Sequence, residues 1–405
     1  MTSERVIDRA GPVLLGALAP LALLLVDPAG WYPFGPVKWL AVSVLGFAGV
    51  AAVLVTRPVS LPRPLVVALV ASLGWLAIAA AIGLDPVYAW IGTPERHLGV
   101  LTWVLCALLL VAGCALGAGS VRAVLCGLVV AGLGVGGVAT AEALGWEPDV
   151  LDVGGRLTGT FGSAAYLGAA TALLLPICVG GAADAALSRR LRAAAGAAVP
   201  LLLVACIGSG ARAAWFGLLV SALTGAWLRR DWLSDRRRQV APVAGLGALV
   251  AVAVLAISPA GSRLSSLSDA DAPGGRGRLD EWRVAARVLV DRPVTGAGPE
   301  GYRIAFADGV DARYERAHGR EQQPDRAHAG PLDVALAGGV PGLVAWLAVV
   351  GLVGRRTLRA LRLGPSWLVG VAAGLIAHWA GQLLLFPLAE LEPVVWLLAG
   401  VVVTT

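Results

Sequence analysis

Twelve long apolar stretches dominate this 405-residue sequence and restrict the folds that it can adopt. A stretch of roughly 20 apolar residues is long enough to cross a bilayer as a helix. Because lipid offers no hydrogen-bond partners, each stretch must satisfy its own backbone groups, and a helix does so within one segment. We therefore predict an all-α polytopic membrane protein with about 12 transmembrane helices. The predicted spans lie near residues 10–26, 37–55, 64–84, 98–117, 121–144, 164–183, 193–209, 212–228, 240–258, 330–354, 366–386 and 389–405.

Composition also places the chain among membrane proteins. Hydrophobic residues make up 58% of the sequence and charged residues only 14%, whereas a soluble domain carries roughly 25% charged residues. The net charge of +6 does not indicate a nucleic-acid partner, because the arginines lie at the ends of apolar stretches. There is no P-loop, GxSxG or HExxH motif, so we expect no metal and no cofactor. The five cysteines all lie in apolar stretches, without metal-ligand spacing, and are interpreted as small core residues.

The distribution of basic residues predicts the topology. Arginines are concentrated in alternate connecting segments, and cytoplasmic segments of membrane proteins are enriched in basic residues. We therefore predict a multi-pass protein of the cytoplasmic membrane with both termini in the cytoplasm. Residues 1–258 would form helices 1–9, residues 259–329 a large loop on the outer face, and residues 330–405 helices 10–12.

The long polar loop is a strong candidate for function, because loops of this length in a compact protein are commonly functional. Its eleven arginines are balanced by eleven acidic residues, so only particular arginines can bind an anion. Residues 261–277 predict an irregular segment, and the pattern from Leu279 to Arg292 predicts an amphipathic helix. This helix would lie on the membrane surface or cap the bundle. Its predicted apolar stripe consists of Leu279, Trp282, Ala286 and Leu289.

Three arginines at the predicted outer boundary are candidates to bind an anionic group. Arg156 precedes one span, Arg212 begins another, and Arg278 opens the sequence GRLDEW. Arg212 follows the residues GSGA at a helix N-terminus, where backbone N–H groups favour phosphate. The alternatives are snorkelling for Arg156 and Arg212, and for Arg278 a surface salt bridge to a neighbouring carboxylate.

Histidines are the candidate proton acceptors, because histidine titrates near neutral pH. His328 stands at the start of the span from residue 330, where its alternative role is that of a polar residue at a helix N-terminus. His97 follows Arg96 in GTPERHLG, and this pair is a second candidate. His378 lies inside a span, and we interpret it as a hydrogen-bonding group between helices.

Five motifs, in this order, resemble those of the O-antigen ligase and O-antigen polymerase superfamily of bacterial C-type membrane glycosyltransferases. GTPERHLGVLTWV matches at Arg96, GRLTGTFGSAAYLG at Arg156 and GSGARAAWFG at Arg212. GRLDEWRVAARVLVDRPVTGAGPEGY then matches at its first Arg, its Trp and its Arg-Pro-x-x-Gly-x-Gly element. DRAHAGPLDVALAGGVPGL places His328 at the histidine of the family, with Ala329 where Asn is usual.

The resemblance implies an activity. A glycan would move from undecaprenyl diphosphate or another polyprenyl diphosphate to a hydroxyl on a lipid, glycan or protein, at the outer face of the membrane. The reaction would be inverting and independent of metal, because arginines stabilise the departing diphosphate. The catalytic residues would be His328, Arg278 and Arg212, and the substrate-binding residues would be Arg156, Arg96 and Trp282.

Two other functions stay open from the sequence. A transporter or flippase for an anionic solute or lipid would place polar or broken-helix features near the middle of the membrane. Only His378 and Gln382 lie that deep in the predicted spans. The other alternative is a non-catalytic scaffold in a complex of the cell envelope.

Overall fold

The computed structural model describes residues 3–146, 148, 156–231, 275–321 and 323–404, and every regular element in these ranges is helical. Seven of the described helices are long and apolar enough to cross a bilayer, and four shorter helices are also apolar. These helices confirm an all-α polytopic membrane fold. They coincide with all the predicted spans except that near 240–258, which lies outside the described residues, so the count of 12 stays a prediction.

The helices are numbered here in chain order, and a short 3-10 helix, Gly159–Phe161, precedes α7. The described helices are α1 Ser3–Leu24, α2 Gly35–Thr56, α3 Arg63–Ile82, α4 Pro86–Ile91, α5 Val100–Ala115, α6 Ala118–Ala143, α7 Ala164–Ala183, α8 Arg189–Ser209, α9 Arg212–Leu228, α10 Gly275–Asp291, α11 Tyr302–Gly309, α12 Ala312–His318, α13 Gly330–Leu363, α14 Ser366–Gly381 and α15 Glu392–Thr404.

The chain folds into two compact units. The first consists of Met1–Gly127, Pro273–Arg356 and Gln382–Thr405, and the second of Leu128–Ala272 and Thr357–Gly381. Within the first unit, α1 packs along α2, and α15 packs along α5. Within the second unit, α7 is the central helix and contacts α8, α9 and α14.

Helix α13 is interrupted at Gly339, where φ is +65°. This left-handed conformation is open to glycine and costly for other residues. A Cβ at this position would stand 2.1 Å from the carbonyl oxygen of Val294. The backbone N–H of Val340 donates to the carbonyl of Pro293 at 2.8 Å. The break therefore holds the turn that follows α10 against the first half of α13.

Helix α10 confirms that the polar loop contains a helix, but its packed face differs from the predicted stripe. Leu279 is 54% exposed and Ala286 is exposed, whereas Val284, Ala285 and Val288 are buried. These three residues pack against α11, which lies in the same loop. Of the predicted stripe, Leu289 packs against the same cluster, and the rest of the packed face differs because a periodic pattern does not identify the surface that a helix meets.

The predicted span 366–386 is shorter in the structure, because α14 ends at Gly381 and residues 382–391 are not helical. Pro387 has no N–H to donate within a helix. The carbonyls of Gln382 and Leu385 instead accept from the N–H of Gly330 at 2.6 and 2.9 Å. This non-helical segment thus holds the beginning of α13.

The cysteines agree with the predicted core positions in four cases. All five are free thiols, and Cys106, Cys114, Cys178 and Cys206 are buried. Cys126 is exposed on α6, so the prediction was wrong for this residue. An apolar span buries only part of its circumference, and hydrophobicity alone does not identify that part.

Candidate functional site

One face of α10 carries three residues that reach the segments around the predicted histidine. Arg278, Glu281 and Trp282 share this face because they are three and four positions apart. The indole N–H of Trp282 donates to the carbonyl of Ala327 at 2.8 Å. The guanidinium of Arg278 donates to the carbonyl of Leu384 at 3.1 Å. Two of the residues predicted from the motif GRLDEW are thus anchored beside His328.

His328 lies in the turn of residues 325–329, called the histidine turn below, which a residue of α13 holds in place. Its φ is +54°, which is uncommon for a residue with a Cβ. The carboxylate of Asp333 accepts from the N–H of Ala327 at 2.7 Å and from the N–H of Ala329 at 3.2 Å. The ring of Phe386 meets the imidazole edge to face, with 5.3 Å between centroids. The backbone on both sides of the histidine is therefore fixed by one carboxylate.

Arg96 is tied to the same turn. Its guanidinium donates through two nitrogens to Asp325, at 2.5 and 3.1 Å, and lies over the ring of Phe386 at 4.8 Å. Burial raises the pKa of Asp325, but the hydrogen bond and charge of Arg96, with the charge of Arg326, outweigh it and lower the pKa overall. This bidentate pair holds the residues before His328 against the loop between α4 and α5.

Glu300 joins that loop to the histidine turn. Its carboxylate accepts from the N–H of Leu98 at 3.2 Å and forms an ion pair with Arg326 at 2.7 Å. Glu300 itself has a φ of +59° and is 4% exposed. A buried carboxylate with both a hydrogen bond and a cationic partner fixes two chain segments at one point.

His97, like His328 and Glu300, is a non-glycine residue with a left-handed backbone, and its φ is +53°. Its ring stacks on Trp39 with 4.8 Å between centroids, and its buried Nε2 has no hydrogen-bond partner among the described residues. Burial lowers the pKa of His97 to about 4, while the charge of Glu95 opposes this shift. His97 is therefore neutral at physiological pH.

An apolar pocket, partly open to the surroundings, adjoins the histidine turn within the first unit. Leu69, Leu73 and Trp346 are among its apolar lining residues. The side chains of Arg326 and Asp333 line it as well. The pocket thus combines an apolar wall with two charged groups that flank His328 in sequence.

The second unit contains the other two predicted arginines and brings their segments together. Arg156 donates through Nε and a terminal nitrogen to the carbonyl of Ser209, at 2.7 and 2.5 Å. Arg212 begins α9 three residues later and is exposed. The carboxylate of Glu142 accepts from the N–H groups of Thr158 and Gly159 at 2.9 and 2.8 Å. A buried acid therefore fixes the loop that carries Arg156.

Two further histidines have surroundings of their own. The Nε2 atom of His318 lies 3.1 Å from Asp280, on α10. The hydrogen bond from His318 lowers the pKa of Asp280. His378 is buried within α14, in the second unit.

Sequence reasoning missed the carboxylates that position the site. Glu281, Glu300 and Asp333 all occur within the motifs, but Glu281 and Glu300 contact residues that are distant in sequence, and Asp333 contacts the turn that precedes its own helix. One signal was available for Asp333, since an acidic residue in the first turn of an otherwise apolar helix is rarely left unpaired.

Comparison with known proteins identifies one matching family. Residues 197–347 match the sequence model of a family described as O-antigen ligase. The matched range contains Arg212, Arg278, Trp282 and His328, whereas Arg96 and Arg156 precede it. No curated protein matches the chain. The family match confirms the resemblance that the sequence motifs carry.

Proposed function

We propose that this protein of the O-antigen ligase and polymerase superfamily transfers a glycan from a polyprenyl-diphosphate donor to an acceptor hydroxyl. The acceptor would be a lipid, a glycan or a protein. The reaction would take place at the outer face of the cytoplasmic membrane, because the proposed topology puts the segment 259–329 on that side.

The observation that supports this most directly is the histidine turn facing α10 within the matched range. His328 comes from one motif and Arg278 and Trp282 from another, and the two motifs approach each other in the first unit through contacts to the turn and to residues 382–391. A histidine next to a positioned guanidinium suits a reaction that needs a base and stabilisation of an anionic leaving group.

The proposed reaction assigns a role to each group. The imidazole of His328 accepts the proton of the acceptor hydroxyl, whose oxygen attacks the anomeric carbon of the donor. The bond from that carbon to the diphosphate breaks, and its electron pair leaves with the diphosphate. Arg278 and Arg212 stabilise this charge, and attack from the opposite face inverts the anomeric centre. General-base catalysis contributes about 10²–10⁴-fold, and one preorganised donor about 3–4 kcal/mol.

Substrate-binding roles are proposed for Trp282, Arg96 and Arg156. Arg96 would act through the turn that it holds, because its guanidinium is engaged with Asp325. Arg156 would act beside Arg212, to which its loop is linked through Ser209. The apolar pocket next to the histidine turn would suit the hydrocarbon part of a lipid substrate.

The test is surface-glycan assembly in the producing bacterium with the variants His328→Ala, Arg278→Ala and Arg212→Ala. Each should abolish assembly while the protein still accumulates in the membrane. Arg320→Ala is the matched control, because this arginine is 81% exposed in the same polar region and its ion pair with Glu315 lies at the surface. Normal glycan in the His328 and Arg278 variants would refute the proposal.

A second measurement concerns the donor and requires no knowledge of the sugar. Native mass spectrometry of the purified protein should detect a bound polyprenyl phosphate or diphosphate, which is lost in Arg212→Ala and Arg278→Ala and kept in Arg320→Ala. Solute uptake by proteoliposomes without any glycan product would instead identify a transporter.

A further inference from the structure

We propose that Glu281 is a positioning residue that orients the imidazole of His328, so that Nε2 is the atom that accepts the proton. This inference rests on the proposed function for its catalytic consequence. Its structural content, the pairing of one carboxylate with Nδ1, stands independently of that function.

Among the described residues, the carboxylate of Glu281 lies within 4 Å of Nδ1 of His328. The Nδ1 atom is buried and has no hydrogen-bond partner among the described residues. The nearest carboxylate oxygen is Oε2 of Glu281, at 3.6 Å. This distance is longer than a hydrogen bond, but catalytic hydrogen bonds are often long without substrate and shorten in the complex. When a buried ring nitrogen faces a carboxylate, that nitrogen is expected to carry the hydrogen of the neutral imidazole.

Both partners are held in place by other contacts, so their approach is built into the fold. Arg278 and Trp282 anchor α10 on either side of Glu281, through bonds to Leu384 and Ala327. The turn that carries His328 is fixed by the two hydrogen bonds to Asp333.

The chemical consequence follows from the tautomer. In a neutral imidazole one nitrogen carries hydrogen and the other is an acceptor, and a hydrogen bond at one nitrogen determines which. With hydrogen at Nδ1, directed to Glu281, the lone pair is at Nε2. The carboxylate also stabilises the imidazolium that forms when Nε2 takes the proton from the acceptor hydroxyl. Glu281 does not itself touch the reacting atoms.

The chain supplies a matched control on the preceding residue. Asp280 contacts Nε2 of His318 at 3.1 Å, so two adjacent carboxylates on α10 face two different histidines. The sequence contains four histidines, His97, His318, His328 and His378, which keeps a histidine-specific spectrum simple.

The experiment is solid-state NMR of the full chain in lipid, labelled with ¹⁵N at Nδ1 of histidine and recorded at about pH 8, where ordinary histidines are neutral. The signal lost in His328→Ala assigns His328. In the wild type this signal should be of the N–H type, and in Glu281→Ala it should move to the unprotonated type. Asp280→Ala should leave it in place and alter the His318 signal. An unprotonated Nδ1 at His328 in the wild type, or a signal unchanged in Glu281→Ala, would overturn the proposal.

Activity variants separate this inference from the proposed function. Glu281→Ala should reduce glycan assembly about 10-fold or more, within the range of general-base catalysis. Glu281→Gln keeps an acceptor oxygen for Nδ1, so it should keep the N–H signal and recover part of the activity. If His328→Ala assembles normal glycan, the proposed function fails, and the NMR result still decides the pairing. Equal activity in Glu281→Ala and wild type would refute the positioning role.

Discussion

Replacing Asp333 tests whether one carboxylate holds the histidine turn. Its Oδ1 accepts from Ala327 at 2.7 Å and its Oδ2 from Ala329 at 3.2 Å. A hydrogen bond to a charged group contributes about 1.5–3 kcal/mol. Asp333→Asn keeps one acceptor oxygen and replaces the other by an NH₂ group, which would face a backbone N–H. It should therefore lower the free energy of unfolding by about 1.5–3 kcal/mol. Asp333→Ala removes both hydrogen bonds and should lower the free energy of unfolding by about 3–6 kcal/mol.

The assay is unfolding of the purified protein by SDS titration, with glycan assembly measured on the same variants. Asp308→Asn is the control, because its side chain is 64% exposed and lies 3.6 Å from Arg292. It should change the free energy of unfolding by about 0.5 kcal/mol or less. If Asp333→Asn and Asp308→Asn have the same free energy of unfolding, the carboxylate of Asp333 does not hold the turn.

Three further predictions follow from single contacts. Gly339→Ala should lower the free energy of unfolding by at least about 1–2 kcal/mol, because the backbone at this position is left-handed. Gly351→Ala, in the same helix with open space around a Cβ, should leave the free energy of unfolding unchanged or raise it by up to about 1 kcal/mol. Unfolding by SDS titration compares the two variants. Because burial lowers the pKa of His97 to about 4, the unfolded chain binds a proton first as pH falls, and stability decreases below about pH 6.5. His97→Gln should therefore flatten the dependence of Tm on pH between about 7 and 4.5, and an unchanged slope would contradict this. Glu142→Gln should speed hydrogen exchange at the amides of Thr158 and Gly159, measured by mass spectrometry, because one of their acceptors is lost.

The helices were predictable because bilayer thickness and backbone hydrogen bonding leave few choices. The residues at which the spans end were less predictable. The span expected over 366–386 ends at Gly381, since the carbonyls that follow serve Gly330 rather than a helix. The face of α10 was missed for a related reason. Its pattern allowed several stripes, and only the presence of α11 selects the one with Val284 and Val288.

The candidate residues of the site were found by type and motif, but their positions depend on contacts that cross long sequence separations. His328 was singled out as a proton acceptor, whereas its pairing with Glu281 depends on how α10 meets the turn. Arg96 was expected to contact an anionic ligand, and its guanidinium is engaged with Asp325 in the structure. A sequence records that an arginine is near a predicted boundary, but it does not record which carboxylate reaches it.

Among the residues that the structure describes, three non-glycine residues have a positive φ, namely His97, Glu300 and His328, and they indicate how this region is built. Such conformations cost about 1–3 kcal/mol each and persist only where the surroundings over-determine them. Glu300 bonds to the N–H of Leu98, next to His97, and pairs with Arg326, two residues before His328. The buried carboxylate of Glu300 therefore restrains both histidine segments. The conformation of the turn that carries His328 is thus a joint property of three chain segments.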